Sequence, residues 1–557
     1  TQMGSGSWEA TKTGEIAEDD EGDTDEDEVR EVVEIDADGF EDRAMLLPIA
    51  RGNFSGLVVN DKNQLLYARS GNGLPSLKLF DMTEDKPSEG EVIGAVLQYD
   101  LSADGKKLMV VQAGPGGVRY GVVNAAKGQS VGEPLPTDGM EKQIDPKAEW
   151  KQLVTDAWRR HRDYFYVENM HGVDWEGVLD QYLPMVDDAA SREDVSYIIG
   201  EMIGELNVGH AYYFGGDVEG QPSENVGLLG NDFTFENGAY RISKIYGGGP
   251  FDADVRSPLA QPGLGVSEGD YLLAVNDELI ADLPSPHMPF IGKVGQMVRL
   301  TVSDQPTLNP ENENQRDVLV KPIGSDNSLR YRHWINSNRE RVYEMSDGKI
   351  GYIYVPNTGV QGQNDLFRQF FGQMHMDALI IDERWNGGGQ IPNRFIELLD
   401  RPRTNYWKRR HGRDWAWPPE SHQGPKAMLI NGLAGSGGDM FPWLFREHEL
   451  GKLIGTRTWG GLVGISGVPP LIDGGYTAVP NFGFYETDGT WGIEGHGVDP
   501  DIEVLDDPAK MQDGADPQLE TAVAHLLEEL ENGKSYEAPK SPKGPVRTGI
   551  GIAEEDK

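Results

Sequence analysis

Most of the information about the fold lies in one stretch, residues 427–445, whose sequence is AMLINGLAGSGGDMFPWLF. It opens with an apolar run of strand type, and the residues from Met440 onward suit the start of a helix. A strand, a tight Gly-rich turn and a helix would expose Ser436 and direct backbone N–H groups toward it. The stretch therefore predicts an α/β unit with Ser436 as a candidate nucleophile, although Gly-Ser-Gly strings also occur in plain loops.

A serine hydroxyl is a poor nucleophile alone, so hydrolysis also needs a base, a carboxylate and donors for the oxyanion. Residues 207–212 supply His210, and residues 492–500 supply Glu494. Residues 378–389 form a buried-type strand ending in three glycines, which let backbone amides approach a substrate oxygen. Each stretch alone has an ordinary interpretation, as a packed histidine, a solvated glutamate or a Gly-rich turn. Their combination predicts an active site.

These motifs, in this order, resemble the tricorn proteases, serine peptidases built from two β-propellers followed by a catalytic half. The resemblance extends over about residues 31 to 535. Further matching sequence includes LRYRHW at 329–334, GYIYVP at 351–356 and GKLIGTRTWGG at 451–461. The fold class implied is multidomain α/β and β, with a partial β-propeller, a helical subdomain, a PDZ-like domain and an α/β catalytic core.

The resemblance also implies a role for each candidate residue. Ser436 is the nucleophile, His210 the base and Glu494 the carboxylate, and the backbone N–H groups of Gly389 and Gly437 form the oxyanion hole. The implied activity is a serine endopeptidase or oligopeptidase acting through an acyl-enzyme. No metal and no cofactor is implied.

Two positions depart from the family pattern. The family typically has an aspartate directly after the nucleophile, which favours basic side chains in the substrate, and here that position is Gly437. The family also tends to have a serine before the catalytic histidine, and here it is Gly209. We therefore expect Gly437 to alter substrate specificity, with weak discrimination for basic side chains. Gly209 is expected to weaken the orientation of the base.

Composition limits the partners. The 557 residues include 92 acidic and 50 basic side chains, a formal charge of −42, which argues against nucleic acid and anionic membrane surfaces. No apolar run approaches the roughly 18 residues of a membrane helix. Peptide substrates are the expected partners. Resemblance adds a homo-oligomer, a hexamer in the family, and an upstream propeller half of the same protein.

The compartment stays open. Cysteine is absent, which excludes disulfides, thiolate catalysis and Cys-based metal sites and fits either a cytoplasmic or an exported, periplasmic setting. No signal peptide is visible, and the chain begins at Thr1. We expect it to be the processed or excised C-terminal part of something longer.

The length suggests three or four domains. The patterns that begin at residues 60 and 102, a polar turn and then an apolar run, recur at a spacing typical of propeller blades. The expected divisions are an acidic disordered segment (1–30), the last blades of a β-propeller (31–128), a helical catalytic subdomain carrying His210 (129–223), a PDZ-like domain (224–324), an α/β catalytic domain carrying Ser436 and Glu494 (325–535) and a disordered tail (536–557).

Two other functions remain open. A Ser-Lys peptidase needs a lysine close to the nucleophile, but no lysine lies between Lys452 and Lys510, and Lys452 is expected in a structural strand. A peptide-binding scaffold with a weak or inactive site is the alternative that Gly209 and Gly437 favour. The PDZ-like domain binds peptide termini by strand addition or serves only as a spacer.

Overall fold

The computed structural model describes residues 46–545, except 72, 83–87, 115–116, 138, 221, 249–255, 468, 513 and 535, and also residues 38, 39, 44 and 555. The predicted acidic segment and the end of the predicted tail lie outside the described residues. The chain divides into two compact units, Thr1–Gln143 and Ile144–Lys557. None of the helices in the described part combines the length and apolar character needed to cross a membrane.

The described part of the first unit consists of two antiparallel sheets. A four-stranded sheet has the order β1-β2-β3-β4, and a three-stranded sheet has the order β5-β6-β7. The strands are β1 (Asn53–Val59), β2 (Leu65–Gly71), β3 (Gly73–Phe80), β4 (Glu89–Ile93), β5 (Val96–Leu101), β6 (Lys107–Gly114) and β7 (Gly117–Asn124). Leu66, Leu77, Leu108 and Val110 are fully buried and form one core. Four strands are the size of a propeller blade, and these sheets are the partial β-propeller.

The second unit begins with a helical region. It contains α1 (Pro146–Tyr164), α2 (Trp175–Tyr182), α3 (Arg192–Gly204) and a short strand β8 (Tyr212–Phe214). Asp145 caps α1 by accepting hydrogen bonds from two backbone N–H groups, and Ser191 forms a capping box at α3. The apolar faces of the three helices pack on one another. The segment after α3 leads directly to His210.

A PDZ-like sheet of antiparallel strands follows. Its order is β14-β13-β11-β10-β9, with β12 paired to β11. The strands are β9 (Asn231–Glu236), β10 (Ala239–Ile245), β11 (Tyr271–Val275), β12 (Glu278–Leu279), β13 (Val298–Ser303) and β14 (Arg316–Val320). Leu272, Leu300 and Phe290 lie in its core.

The catalytic core is a parallel five-stranded sheet with helices on both faces. The sheet has the order β15-β16-β19-β20-β24. Its elements, with the short ribbons inserted between them, are α4 (Asn327–Met345), β15 (Ile350–Tyr354), α5 (Val360–Gln373), β16 (Ala378–Asp382), α6 (Pro392–Leu399), β17 (Asn405–Trp407), β18 (Trp415–Trp417), β19 (Lys426–Ile430), α7 (Gly437–Glu447), β20 (Gly451–Gly455), β21 (Gly464–Ile465), β22 (Tyr476–Ala478), β23 (Pro480–Phe482), β24 (Ile502–Glu503), α8 (Pro508–Met511) and α9 (Pro517–Glu529).

The central strands β16 and β19 are buried along their whole length, which explains their nearly continuous apolar sequences. Adjacent parallel strands end at the same edge of a sheet, so the segments that follow β16 and β19 meet there. Ligands of open α/β sheets bind beyond these carboxyl ends. The sheet therefore brings the three glycines of residues 387–389 to the Ser436 turn.

Two buried arginines fix the surroundings through their ion pairs. Arg384, fully buried at the end of β16, donates to Asp382 at 2.7 Å and to Asp516 at 2.9 Å, which ties α9 to the sheet. Arg192 of α3 donates to Asp473 at 2.6 Å, just before β22. Because β22 also pairs with β8, the His210 segment is held against the catalytic core.

Candidate active site

Ser436 is the residue directly before α7. This helix starts at Gly437, three residues earlier than the sequence predicts, so Ser436 occupies its N-cap position. Its φ and ψ angles are 61° and −117°, which a residue with a side chain rarely adopts. The strained turn reverses the chain between β19 and α7 and places Ser436 at the positive end of the α7 dipole.

Strained backbone recurs in all four segments of the candidate site. Besides Ser436, positive φ angles occur at His210 (57°), Trp385 (61°) and Ile493 (67°). Ile493 is β-branched, so this conformation is especially unfavourable for it. Such residues cost on the order of 1–3 kcal/mol each and cluster at functional sites. The rest of the fold must therefore hold these four positions in place.

The residues predicted to form the oxyanion hole lie together. A β-carbon on Gly437 would be 2.7 Å from Gly389 N and would also overlap Thr358 Oγ1, so the backbones approach as closely as two glycines allow. A β-carbon on Gly388 would be 2.8 Å from the β-carbon of Ser436. In the described structure, neither the Gly389 nor the Gly437 N–H donates a hydrogen bond. Both donors are available beside the serine.

His210 lies after α3, with its ring edge-on to Trp459 at 5.7 Å between centroids. Trp459 also packs on Gly435, where a β-carbon would be 2.5 Å from its ring, so Trp459 connects the histidine to the Ser436 turn. Burial lowers the pKa of His210, while the charges of Glu494 and Asp439 raise it in part. The net lowering favours the neutral imidazole, the form that accepts a proton.

Glu494 joins the histidine segment to the catalytic core through backbone groups. Its Oε1 accepts from Gly209 N at 2.7 Å, and its Oε2 accepts from Leu462 N at 2.6 Å and Val463 N at 2.8 Å. Within the described residues, no hydrogen bond joins the imidazole of His210 to Glu494 or to Ser436, and His210 Nδ1 is buried without a partner. The carboxylate therefore contacts the backbone before the histidine rather than its ring.

The sequence did not identify the importance of Asp439. This fully buried carboxylate accepts from Ser436 N at 2.7 Å, Gly460 N at 2.8 Å and Gly461 N at 3.2 Å. It therefore fixes the serine turn to the segment that contacts Glu494. The signal available was the spacing Ser436-x-x-Asp439, typical of a helix capping box.

Glu383 lies beneath the same turn and is fully buried, and neither carboxyl oxygen has a hydrogen-bond partner in the described structure. Burial raises its pKa well above the ordinary value, and the charges of Asp439 and Asp382 raise it further. The protonated form of Glu383 is therefore favoured relative to that of an exposed glutamate. Sequence alone gave no reason to distinguish it from a surface glutamate.

Thr358 was also missed. It is fully buried beside Gly437 and Gly389, and its Oγ1 has no hydrogen-bond partner among the described residues. Its backbone N–H donates to Gly388 O at 2.9 Å. Nothing in its sequence context separates it from an ordinary loop threonine, because its position follows from the packing of two loops.

Family comparisons cover the same regions. Residues 146–204 match the sequence model of the tricorn protease C1 domain, residues 227–325 match that of the tricorn protease PDZ domain, and residues 349–504 match that of Peptidase family S41. The last of these ranges contains Ser436, Glu494, Gly389 and Gly437. His210 lies between the first two ranges.

Curated relatives and a solved structure agree with these matches. "Tricorn protease homolog 1" of Streptomyces coelicolor is 31% identical over 530 residues, covering 91% of this chain and 48% of the relative. The "Putative Tricorn-like protease C-terminal subunit" of Sulfurisphaera tokodaii is 32% identical over 514 residues, covering 89% and 58%. A crystal structure of the tricorn protease superposes with a TM-score of 0.76 at 29% identity, covering 87% of this chain and 47% of that one.

The chain spans about half the length of the curated relatives it matches. The three matched domains follow one another in a single chain, and the overall similarity extends through nearly all of it. The chain belongs to the tricorn protease family.

Proposed function

We propose that this chain is the catalytic part of a serine peptidase that hydrolyses peptides or oligopeptides through an acyl-enzyme. Ser436 is the nucleophile, His210 the base and Glu494 the carboxylate that positions the base. The observation that carries this assignment is the packing of the Ser436 turn on the three glycines, which leaves the N–H groups of Gly389 and Gly437 without partners in the described structure. Family membership supports the same reaction class.

In the acylation step, Ser436 Oγ attacks the peptide carbonyl carbon while His210 accepts the hydroxyl proton. Since Nδ1 of His210 is buried, Nε2 is the nitrogen available for this transfer. The oxyanion accepts hydrogen bonds from Gly389 and Gly437 N–H. His210 then donates its proton to the leaving amine, and in the second step it deprotonates the water that hydrolyses the ester.

Glu494 acts on His210 in two ways. Its hydrogen bond to Gly209 N holds the backbone of the base, and its charge stabilises the imidazolium that forms during acylation. A serine at position 209 would be crowded, because a β-carbon there would lie 2.7 Å from Gly461 Cα. Here the backbone of Gly209 packs directly against Gly461, in place of the contact that a serine side chain at position 209 would make.

Substrate preference follows from Gly437. With no side chain after the nucleophile, no carboxylate at that position pairs with arginine or lysine in the substrate. We propose weak discrimination for basic side chains, with small or apolar ones cleaved at least as well.

The domain divisions and the assembly belong to the same proposal. Boundaries at residues 31–128, 129–223, 224–324 and 325–535 are supported by the matched family ranges and by the order of the sheets. The partners are peptide substrates, an upstream propeller half of the same protein, and further copies in a homo-oligomer, a hexamer as in the family. The PDZ-like domain either binds peptide ends or spaces the catalytic pieces.

A peptide-binding scaffold is the second candidate function. The observation that favours it is the lack of a hydrogen bond, among the described residues, between His210 and either Ser436 or Glu494. Catalytic hydrogen bonds are often long without substrate, so we rank the enzyme first. A Ser-Lys mechanism is disfavoured by the position of Lys452. This residue lies at the amino end of β20, whereas Ser436 follows the carboxyl end of β19. Its Nζ is 3.9 Å from Asp501.

Labelling with a fluorophosphonate probe tests the enzyme against the scaffold. We expect the assembled protein to be labelled, and Ser436→Ala to lose the label while Ser337→Ala keeps it. Turnover should fall by several powers of ten in Ser436→Ala and in His210→Ala, and the double variant should be little worse, because the groups act as one unit. Absence of labelling in intact, assembled protein would favour the scaffold.

A further inference from the structure

A cavity of about 480 Å³ lies along the outer edge of β15, between α4 and α5. It reaches Ile350 at the start of β15 and Met376 just before β16, so it opens toward the amino ends of the parallel strands. Ser436 follows the carboxyl end of β19, so it lies beyond the other end of the parallel strands. The cavity is therefore separate from the candidate active site, and its size is within the range of ligand pockets.

The exposed edge of β15 is already satisfied by side chains. Gln373 accepts from Tyr352 N at 2.8 Å and donates to Tyr352 O at 2.8 Å. Gln369 does the same for Tyr354, at 3.1 Å and 2.9 Å. These glutamines occupy the place of a neighbouring strand, so a peptide cannot bind here by strand addition. The two glutamine side chains have little capacity left for a ligand.

Arg339 of α4 contributes a buried polar atom without a partner to this cavity. Its Nε is buried without a hydrogen-bond partner, and no ion pair or side-chain hydrogen bond involves its guanidinium within the described structure. Burial lowers its pKa, and the nearby charge of Glu340 raises it in part. In a chain with 92 acidic side chains against 50 basic ones, an arginine with no carboxylate at ion-pair distance in the described structure is unexpected. A partly desolvated, unpaired charge destabilises the free protein, so an anion is the missing component.

The other charges around the cavity define the rest of the ligand. Arg368 comes from the facing helix α5 and also lies 3.8 Å from Asp365. Glu340 and Glu344 come from α4, one turn apart, and both are exposed. Charges of both signs on one wall fit a molecule that carries both a carboxylate and an ammonium group, and Tyr343 beside them offers an apolar surface.

We propose that this cavity is a binding site for zwitterionic amino acids or dipeptides. The ligand carboxylate pairs with Arg339, and the ligand ammonium lies near Glu340 and Glu344. Arginine suits this role because its planar donors match a carboxylate. Binding here is independent of hydrolysis at Ser436.

The test uses the whole chain as the Ser436→Ala variant, so that dipeptides are not cleaved. Calorimetric titration compares glycyl-leucine with N-acetyl-leucine, which lacks the ammonium group, and with leucinamide, which lacks the carboxylate. We expect glycyl-leucine to bind at least tenfold more tightly than either analogue. Equal affinity of leucinamide and glycyl-leucine, or no binding of glycyl-leucine, overturns the assignment.

Variants then locate the site. In the Ser436→Ala background, Arg339→Met should weaken glycyl-leucine binding at least tenfold. It should also raise the melting temperature measured without ligand, because it removes an unpaired charge. Arg413→Met removes an exposed arginine elsewhere and should change neither quantity. Glu340→Gln with Glu344→Gln should weaken glycyl-leucine while leaving N-acetyl-leucine unchanged. Unaltered glycyl-leucine affinity in Arg339→Met would overturn the site even if the variant is fully folded.

Discussion

The carboxylate of Glu494 accepts a hydrogen bond of 2.7 Å from the backbone N–H of Gly209, the residue next to His210. The same carboxylate accepts hydrogen bonds from the backbone N–H groups of residues 462 and 463, so it joins the segment of the candidate base to the segment between β20 and β21. Its charge also raises the pKa of His210 against the effect of burial. One side chain thus sets both the position and the basicity of the histidine.

Replacing Glu494 with glutamine should therefore change two measurements. An amide places N–H donors against backbone N–H donors, so kcat/KM should fall at least tenfold, or about 1.4 kcal/mol. Loss of the negative charge should also move the acidic limb of the pH profile of kcat/KM to lower pH, because the pKa of His210 falls. An unchanged limb would show that the carboxylate does not act on the histidine.

Gly437 should tolerate no side chain. A β-carbon would lie 2.7 Å from Gly389 N, so Gly437→Ala must push residues 437 and 389, the proposed oxyanion donors, apart. We expect kcat to fall about 100-fold, the effect of a displacement near 1 Å. Gly437→Asp should lose activity similarly rather than gain a preference for basic substrates. Gly432→Ala in the same loop is the control, since its β-carbon would meet nothing closer than 3.5 Å.

Thr358→Val tests the buried hydroxyl beside the oxyanion glycines. Its Oγ1 has no partner in the described structure, and we test whether it donates to a substrate oxyanion. We expect kcat/KM to fall about tenfold to 100-fold, as when one oxyanion donor is removed, while the melting temperature stays constant or rises. Thr358→Ser keeps the hydroxyl and should retain more activity. If valine leaves kcat/KM unchanged, the hydroxyl has no part in the reaction.

Glu383 should make the protein less stable as the pH rises. Its pKa is raised in the folded state, so above the ordinary value of 4.5 the unfolded chain loses a proton that the folded chain keeps. The free energy of unfolding falls by at most about 1.4 kcal/mol per pH unit for this one proton. Glu383→Gln cannot ionise, and its melting temperature relative to the unmodified protein should increase as the pH rises above 4.5. A constant difference would mean that Glu383 is charged in the folded protein.

His161 should have the opposite effect in acid. Burial lowers its pKa to about 4, so the folded state stays neutral while the unfolded chain takes up a proton below the ordinary value of 6.5. This contribution to stability is complete above pH 6.5 and is lost as the pH falls from 6.5 toward 4, by about 3 kcal/mol. His161→Phe should flatten the pH dependence of the melting temperature in that window. Exposed His375→Gln should leave it unchanged.

The sequence by itself determined the α/β layering of the core and was enough to predict which residues form the candidate triad. Continuous apolar runs at residues 378–381 and 427–430 predict strands buried on both faces, and Gly-rich segments come shortly after them. The motifs around Ser436, His210 and Glu494 were recognisable because residue type and local spacing carry that information.

Tertiary structure alone decided how these residues contact one another. The hydrogen bond that Gly209 N donates to Glu494 joins residues 285 positions apart, and the raised pKa of Glu383 depends on its burial. The crowding at Gly437 arises where two loops from different strands meet. Sequence patterns report local periodicity and composition, whereas burial, electrostatic fields and backbone approach depend on distances that only the folded chain defines.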